Sequence, residues 1–181
     1  MTAAVFILAF VTLQRLAELW LAERNRKRLL AKGAVEHDPG HYPLIVAIHS
    51  LWLAALWWWA PGQRISVPLL LLFALLQIGR LWVLATLGER WTTRIMVLPG
   101  APLVTGGPYR FVDHPNYVVV VLEIAVLPLV FGLWQIAALF SLLNAAVLAI
   151  RIRAENRALG AGGEARPRRR ARAGPALWAT A

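Results

Sequence analysis

The 181-residue chain contains no cysteine. Disulfides, thiol nucleophiles and cysteine metal sites are therefore excluded. Histidine is also scarce, with four residues, and no metal is expected. Acid is in short supply. Nine Asp and Glu stand against 19 Lys and Arg, for a formal net charge of +10. The first apolar run has no basic residue before it and no Ala-x-Ala site leading into a secreted domain, so it does not read as a cleaved signal peptide. No inverted repeat of the transporter type is visible.

What the chain does have is apolar residues. They make up 59% of it, with a mean hydropathy of +0.60, where soluble domains sit near ~45–50%. One compact, all-α membrane domain is the expectation. Five apolar spans can be read, at about 3–22, 42–60, 65–87, 116–131 and 133–150. A crossing takes ~20 residues, so the first three qualify. The last two are short and are joined only by Phe131-Gly132-Leu133-Trp134, which reads as a tight helical hairpin.

The positive charge is clustered. Arg24, Arg26, Lys27, Arg28 and Lys32 follow the first span, while Arg151, Arg153, Arg157 and the run Arg166–Arg172 follow the last. Basic clusters beside spans mark cytoplasmic ends and meet anionic lipid, so nucleic acid is not the expected partner. The N-terminus is then outside and the C-terminus cytoplasmic. Pro61-Gly62-Gln63-Arg64 is an outer turn, and Trp57, Trp58, Trp59 and Trp134 lie at the outer interface. Residues 1–88 form an N-terminal membrane unit and 89–159 a loop with the C-terminal hairpin. The Arg-, Ala-, Gly- and Pro-rich tail 160–181 has too little apolar surface to build a core.

Polar residues inside spans are costly and face protein or water. Arg15 and Glu18 are three apart, as are Gln77 and Arg80. Structural pairing is one reading for them, and His49 also reads as structural. In the fifth span the pattern is sharper. At about 100° per residue, Asn144, Arg151 and Glu155 fall within about 40° of one another. An Arg151–Glu155 helix pair explains two of them but not Asn144, which favours a site. The fourth span opens with Pro115 in its first turn, with Asp113 or His114 as the expected cap. Asn116 and Glu123, seven apart, share a face. Free N–H groups at such a start suit an anion, so two neighbouring helices offer donors and a carboxylate to a zwitterion.

These residues resemble a known family. Gly107-Pro108-Tyr109-Arg110, then His114-Pro115-Asn116-Tyr117, an apolar helix, a tight turn and Arg151-Ile152-Arg153-Ala154-Glu155-Asn156 are similar to the isoprenylcysteine carboxyl methyltransferases. The likeness covers about 88–159. Arg90-Trp91-Thr92-Thr93-Arg94 and Val97-Leu98-Pro99-Gly100 are similar to bacterial members, in particular to the branch associated with type III polyketide synthases, which O-methylates alkylpyrones or alkylresorcinols.

The resemblance implies an integral-membrane enzyme that uses S-adenosylmethionine on the cytoplasmic side and takes a lipophilic acceptor from the bilayer. The Lys-poor composition suits a high-GC bacterium, so the inner membrane is the expected location. A polyketide synthase is then a functional link. Carried over by position, the family's motifs fall on Gly107, Pro108 and Tyr109, on His114, Pro115 and Tyr117, and on Glu155. Glu155 is expected to take the cofactor's amino group. His114, the N–H groups after it and a nearby arginine would hold its carboxylate, and Tyr109 and Tyr117 would line the nucleoside. Asp113 stands where the family usually has a basic residue, so Arg110 or Arg151 must supply that charge. Asn156 replaces the second residue of the usual Glu-Glu pair. If the acceptor needs a base, His114, Glu123 and His49 are the candidates. Two other classes are the alternatives. Sterol-type membrane reductases use NADPH and often carry an acid soon after the His-Pro-x-Tyr element, whereas Val118–Leu122 is apolar here. A transporter would place its polar groups at mid-bilayer, not at one face.

Overall fold

The computed structural model describes residues 3–37 and 39–161. Five helices follow in chain order: α1 (Ala3–Ala31), α2 (Tyr42–Trp59), α3 (Val67–Leu87), α4 (Pro115–Val130) and α5 (Trp134–Ala161). Two three-residue strands, β1 (Val35–His37) and β2 (Ile95–Val97), pair antiparallel with Val35 opposite Val97 and His37 opposite Ile95. The all-α expectation is thus amended by one short ribbon. The expected C-terminal tail falls mostly on 162–181, outside the described residues.

Among the described residues, four helical segments are long and apolar enough to cross a membrane: Ala3–Ala31, Tyr42–Trp59, Val67–Arg90 and Trp134–Ala158. Two expectations change. The first and last helices run well past the apolar spans, so Arg24–Arg28 and Arg151–Glu155 are helical. The 16-residue α4 reaches only about 24 Å at ~1.5 Å per residue, short of a ~30 Å hydrocarbon core. One face, with Val118, Val121 and Leu122, is exposed, and the other is enclosed by the bundle. Val119, Glu123, Ile124, Val126, Leu127 and Val130 are all buried, because α3 and α5 flank α4 and α1 and α2 cover it.

The core gathers Leu8 and Val11 of α1, Trp52 and Leu56 of α2, Phe73 of α3, Leu127 of α4 and Phe140 of α5. The Trp52 indole donates to the Ile124 carbonyl at 3.2 Å. Outward positions are equally apolar: Phe6, Phe10 and Leu13 on α1, Leu71, Leu75 and Ile78 on α3, and Leu139 and Leu142 on α5 are exposed. A helix apolar on both faces belongs in lipid.

The α4–α5 hairpin is as tight as its four-residue link requires. Gly132 has φ of 72°. The Gly132 N–H bonds to the Leu129 carbonyl and the Leu133 N–H to the Pro128 carbonyl, both at 3.0 Å. This is the Schellman ending, which favours glycine at the left-handed position. Beside it, the Ser66 N–H meets the Val130 carbonyl at 2.8 Å, which fixes the start of α3 to the end of α4. The long connectors collect at the opposite end of the bundle. There the Asn25 side chain donates to the carbonyls of Gly88 and Trp91 at 3.1 and 2.9 Å, and Ile95 and Val97 pack on Ala154 and Ala158 of α5.

A candidate cofactor cleft and an apolar chamber

The connector end encloses a cleft of about 650 Å³. Segment 90–98, segment 101–113, the start of α4 and the end of α5 form its walls. Of the residues read from the sequence, Tyr109, Arg110, His114, Tyr117, Arg151 and Glu155 line it. Gly107, Pro108 and Pro115 do not; they shape the chain that carries the others. Gly107 has φ of 54°, and a Cβ there would lie 2.4 Å from Thr86 Oγ1, so only glycine lets the Gly107–Arg110 turn sit against α3. Pro115 starts α4, and His114 holds the N-cap position without a side-chain cap bond. The expected capping role of Asp113 or His114 is therefore corrected: the His114 ring turns away to stack on Tyr117, with centroids 5.1 Å apart and planes 19° from parallel.

Tyr117 is the hub. Arg151 Nε donates to its hydroxyl at 2.9 Å, and that hydroxyl donates to Glu155 Oε2. Arg151 Nη1 also reaches the Thr93 carbonyl at 2.7 Å, tying α5 to the 90–98 segment. His114 Nδ1 lies 3.9 Å from Glu155 Oε1. The face shared by Arg151 and Glu155 thus meets the first turn of α4, and the helix pair is mediated by a phenol. At the rim, Arg94 bonds Glu36 at 2.5 Å and lies over the Tyr42 ring at 4.3 Å, while Arg90 donates to the Pro102 carbonyl. Four guanidiniums, of Arg90, Arg94, Arg110 and Arg151, line the cleft against the carboxylates of Asp113 and Glu155.

Asn144 lies apart from this cleft. It lines a second chamber of about 270 Å³ between α1, α2 and α5, together with Leu16, Leu19, Ile45, Val46 and Leu148. Trp91, Thr92, Asn116, Tyr117 and Arg151 line both spaces and are the wall between them. His49 also faces the chamber. Its Nδ1 is 2.8 Å from the Ile45 carbonyl. A carbonyl only accepts, so Nδ1 carries the hydrogen and Nε2 the lone pair of the neutral ring.

Glu123 requires a correction. The structure puts it in neither space, with 0% exposure. Arg80 Nε and Gln77 Nε2 each donate to its Oε1 at 2.8 Å, and Arg15 Nη2 donates to its Oε2 at 2.9 Å. Arg80 also bonds Glu18 at 3.0 Å, and Arg15 bonds Glu18 at 2.9 Å. Two cations, two carboxylates and the amides of Gln14 and Gln77 form one neutral network across α1, α3 and α4. A carboxylate so committed cannot double as a base in the cleft; it locks three helices in register. The two three-apart pairs belong to this one assembly.

Asn25 does not stand out in the sequence reading. A signal for Asn25 existed. Ala4, Leu8, Val11, Glu18, Ala22, Asn25 and Leu29 are the buried positions of α1, a stripe spaced by threes, fours and sevens, and Asn25 falls on it despite the basic residues around it.

A profile of the "Isoprenylcysteine carboxyl methyltransferase (ICMT) family" matches residues 69–161. An uncharacterized protein of Bacillus subtilis (strain 168), YpbQ, is 37% identical over 166 residues, covering 84% of this chain and 94% of that protein. An uncharacterized protein of Haemophilus influenzae is 27% identical over 153 residues, covering 80% and 88%. No solved structure matches.

Proposed function

The chain belongs to the isoprenylcysteine carboxyl methyltransferase family, a family of membrane methyltransferases, and from that premise we propose that it uses S-adenosylmethionine to methylate an oxygen of a lipophilic acceptor. The observation that carries the reading is the Arg151–Tyr117–Glu155 cluster, with His114 stacked beside it, at a wall shared by a charged cleft and an apolar chamber.

The residues fit the cofactor. A cleft of about 650 Å³ falls in the ~300–1,000 Å³ range of small-molecule sites. Glu155 offers a carboxylate to an ammonium group. Arg110 and Arg151 line the same space and offer the cationic charge that Asp113 does not. Tyr109 and Tyr117 give aromatic surface for a nucleoside. When bound, the sulfonium supplies an electrophilic methyl group. The chain's part is to orient and to keep water out, so that the acceptor oxygen and the methyl carbon come within ~3–3.5 Å. The shared wall suits that task because it separates a space open to polar ligands from one lined by apolar helix faces. The connector end faces the cytoplasm in this reading, since the basic residues Arg24–Lys32 and Arg151–Arg157 lie there. The acceptor class suggested by the resemblance is an alkylpyrone or alkylresorcinol, and a type III polyketide synthase is the enzyme class that would supply it.

Thermal unfolding of the detergent-purified protein with S-adenosylhomocysteine and, separately, with NADPH tests the assignment. A ligand at a hundredfold excess over its dissociation constant stabilises by ~2.7 kcal/mol. Stabilisation by S-adenosylhomocysteine alone is the expected result. Stabilisation by NADPH alone would replace the methyltransferase reading with a reductase.

A further inference from the structure

Two polar atoms in the shared wall are buried without a hydrogen-bond partner: Trp91 Nε1 and Asn116 Oδ1. Trp91 is only 4% exposed, so its indole is shut off from bulk water, and its backbone carbonyl is held by Asn25 at 2.9 Å. Buried polar groups are nearly always paired, and an orphan calls for a specific explanation. Here the two orphans share the same wall and are complementary. An indole N–H only donates; an amide oxygen only accepts.

We propose that Trp91 and Asn116 form the headgroup subsite for the acceptor, and that the group they select is a neutral hydroxyl on a lipophilic ring, not a carboxylate. The proposal rests on the methyltransferase reading and deepens it. A hydroxyl accepts from Trp91 and donates to Asn116, satisfying both atoms at once. A carboxylate accepts only and leaves Asn116 Oδ1 unpaired. A methyl ether also lacks the proton, so the methylated compound fits the subsite less well than its precursor. The rest of the acceptor lies in the 270 Å³ chamber. That chamber's lining includes Leu16, Leu19 and Val46, which are also exposed on the outer surface of the bundle. A long alkyl tail can therefore leave the chamber sideways into lipid while the head stays at the wall. Trp91 and Asn116 are positioning residues: they hold the head where the cleft begins and carry no proton themselves.

The test uses the full chain in neutral-lipid nanodiscs and three probes of equal alkyl length: a 4-alkylphenol, its methyl ether and a fatty acid. Equilibrium binding is measured for each, with S-adenosylhomocysteine binding measured alongside. Wild-type protein is expected to prefer the phenol over both others by about tenfold or more, the worth of one to two buried hydrogen bonds. Trp91→Phe, which keeps an aromatic ring but loses the N–H, and Asn116→Ala should each erase most of that preference. Continued S-adenosylhomocysteine binding by these variants would show that they are folded. Equal binding of phenol and ether by the wild type, stronger binding of the fatty acid, or a preference that survives in both variants would overturn the subsite. The wild-type comparison needs no variant to fold. Phenol preference without S-adenosylhomocysteine binding would support the subsite while defeating the methyltransferase reading, so the two can fail separately.

Discussion

Tyr117 and Glu123 lie two helical turns apart on α4, and the difference between them decides the roles at residue scale. Tyr117 joins Arg151 and Glu155 at the cleft. Glu123 lines neither space and joins Arg15 and Arg80, which border the chamber. Substituting each acid by its amide should separate binding from stability. Glu155→Gln keeps the shape but removes the charge offered to the cofactor's ammonium. A hydrogen bond to a charged group is worth ~1.5–3 kcal/mol, so S-adenosylhomocysteine affinity should fall roughly 10- to 100-fold with little change in melting temperature; unchanged affinity would remove the assignment. Glu123→Gln leaves two buried guanidiniums with Glu18 as their one carboxylate. Breaking a buried pair this way costs about 3–5 kcal/mol. The melting temperature should drop steeply while folded protein binds S-adenosylhomocysteine normally. The reverse pattern, full stability with lost methyl transfer, would restore Glu123 to the chemistry.

At the scale of elements, the cleft depends on irregular segments anchored to regular ones. The Gly107–Arg110 turn sits on α3 through a left-handed glycine against Thr86, and segment 90–98 hangs from α1 through Asn25 and from α5 through Arg151 and β2. Gly107→Ala forces a Cβ into both an unfavourable φ and the Thr86 side chain. It should weaken S-adenosylhomocysteine binding more than it lowers the melting temperature, since the turn moves while the bundle stays; titration calorimetry beside a melting curve would check this. Much of this layer was legible. Gly, Pro and the His-Pro-Asn-Tyr run marked a site, and the four-residue Phe131–Trp134 link demanded a hairpin. The ribbon was not legible, because three-residue strands carry too short a pattern to register. Nor was the anchoring role of Asn25, which depends on carbonyls more than sixty residues away.

For the whole molecule, sidedness is the main expectation. Arg24–Lys32, Arg151–Arg157 and the long connectors share one end of the bundle, while Trp57, Trp58, Trp59 and Trp134, all exposed, gather with the Ala60–Arg64 turn at the other. The absence of cysteine makes the topology simple to measure. A membrane-impermeant maleimide should label Gln63→Cys on intact bacterial cells or spheroplasts and should label Lys32→Cys only after permeabilisation. The opposite pattern would invert the topology and move the cleft outside. The short α4 belongs to this scale too. Its length excludes it as an independent crossing; one face packs on its neighbours, while Val118, Val121 and Leu122 leave an exposed apolar face.

From the sequence alone came the membrane class, the hairpin, the clustering of charge and six side chains that line the cleft, Tyr109, Arg110, His114, Tyr117, Arg151 and Glu155. Each follows from composition or from contacts within a few turns of chain. Only the tertiary structure decided which polar residues meet. It gathered Arg15, Glu18, Gln77, Arg80 and Glu123 into one neutral network, put Asn144 in a different space from Glu155, and set the unpaired Trp91 Nε1 and Asn116 Oδ1 in one wall. The physical reason is distance along the chain. Periodicity tells which face of a helix a residue occupies, but hydrogen bonds reach about 3 Å, and which faces come that close is settled by packing five helices together.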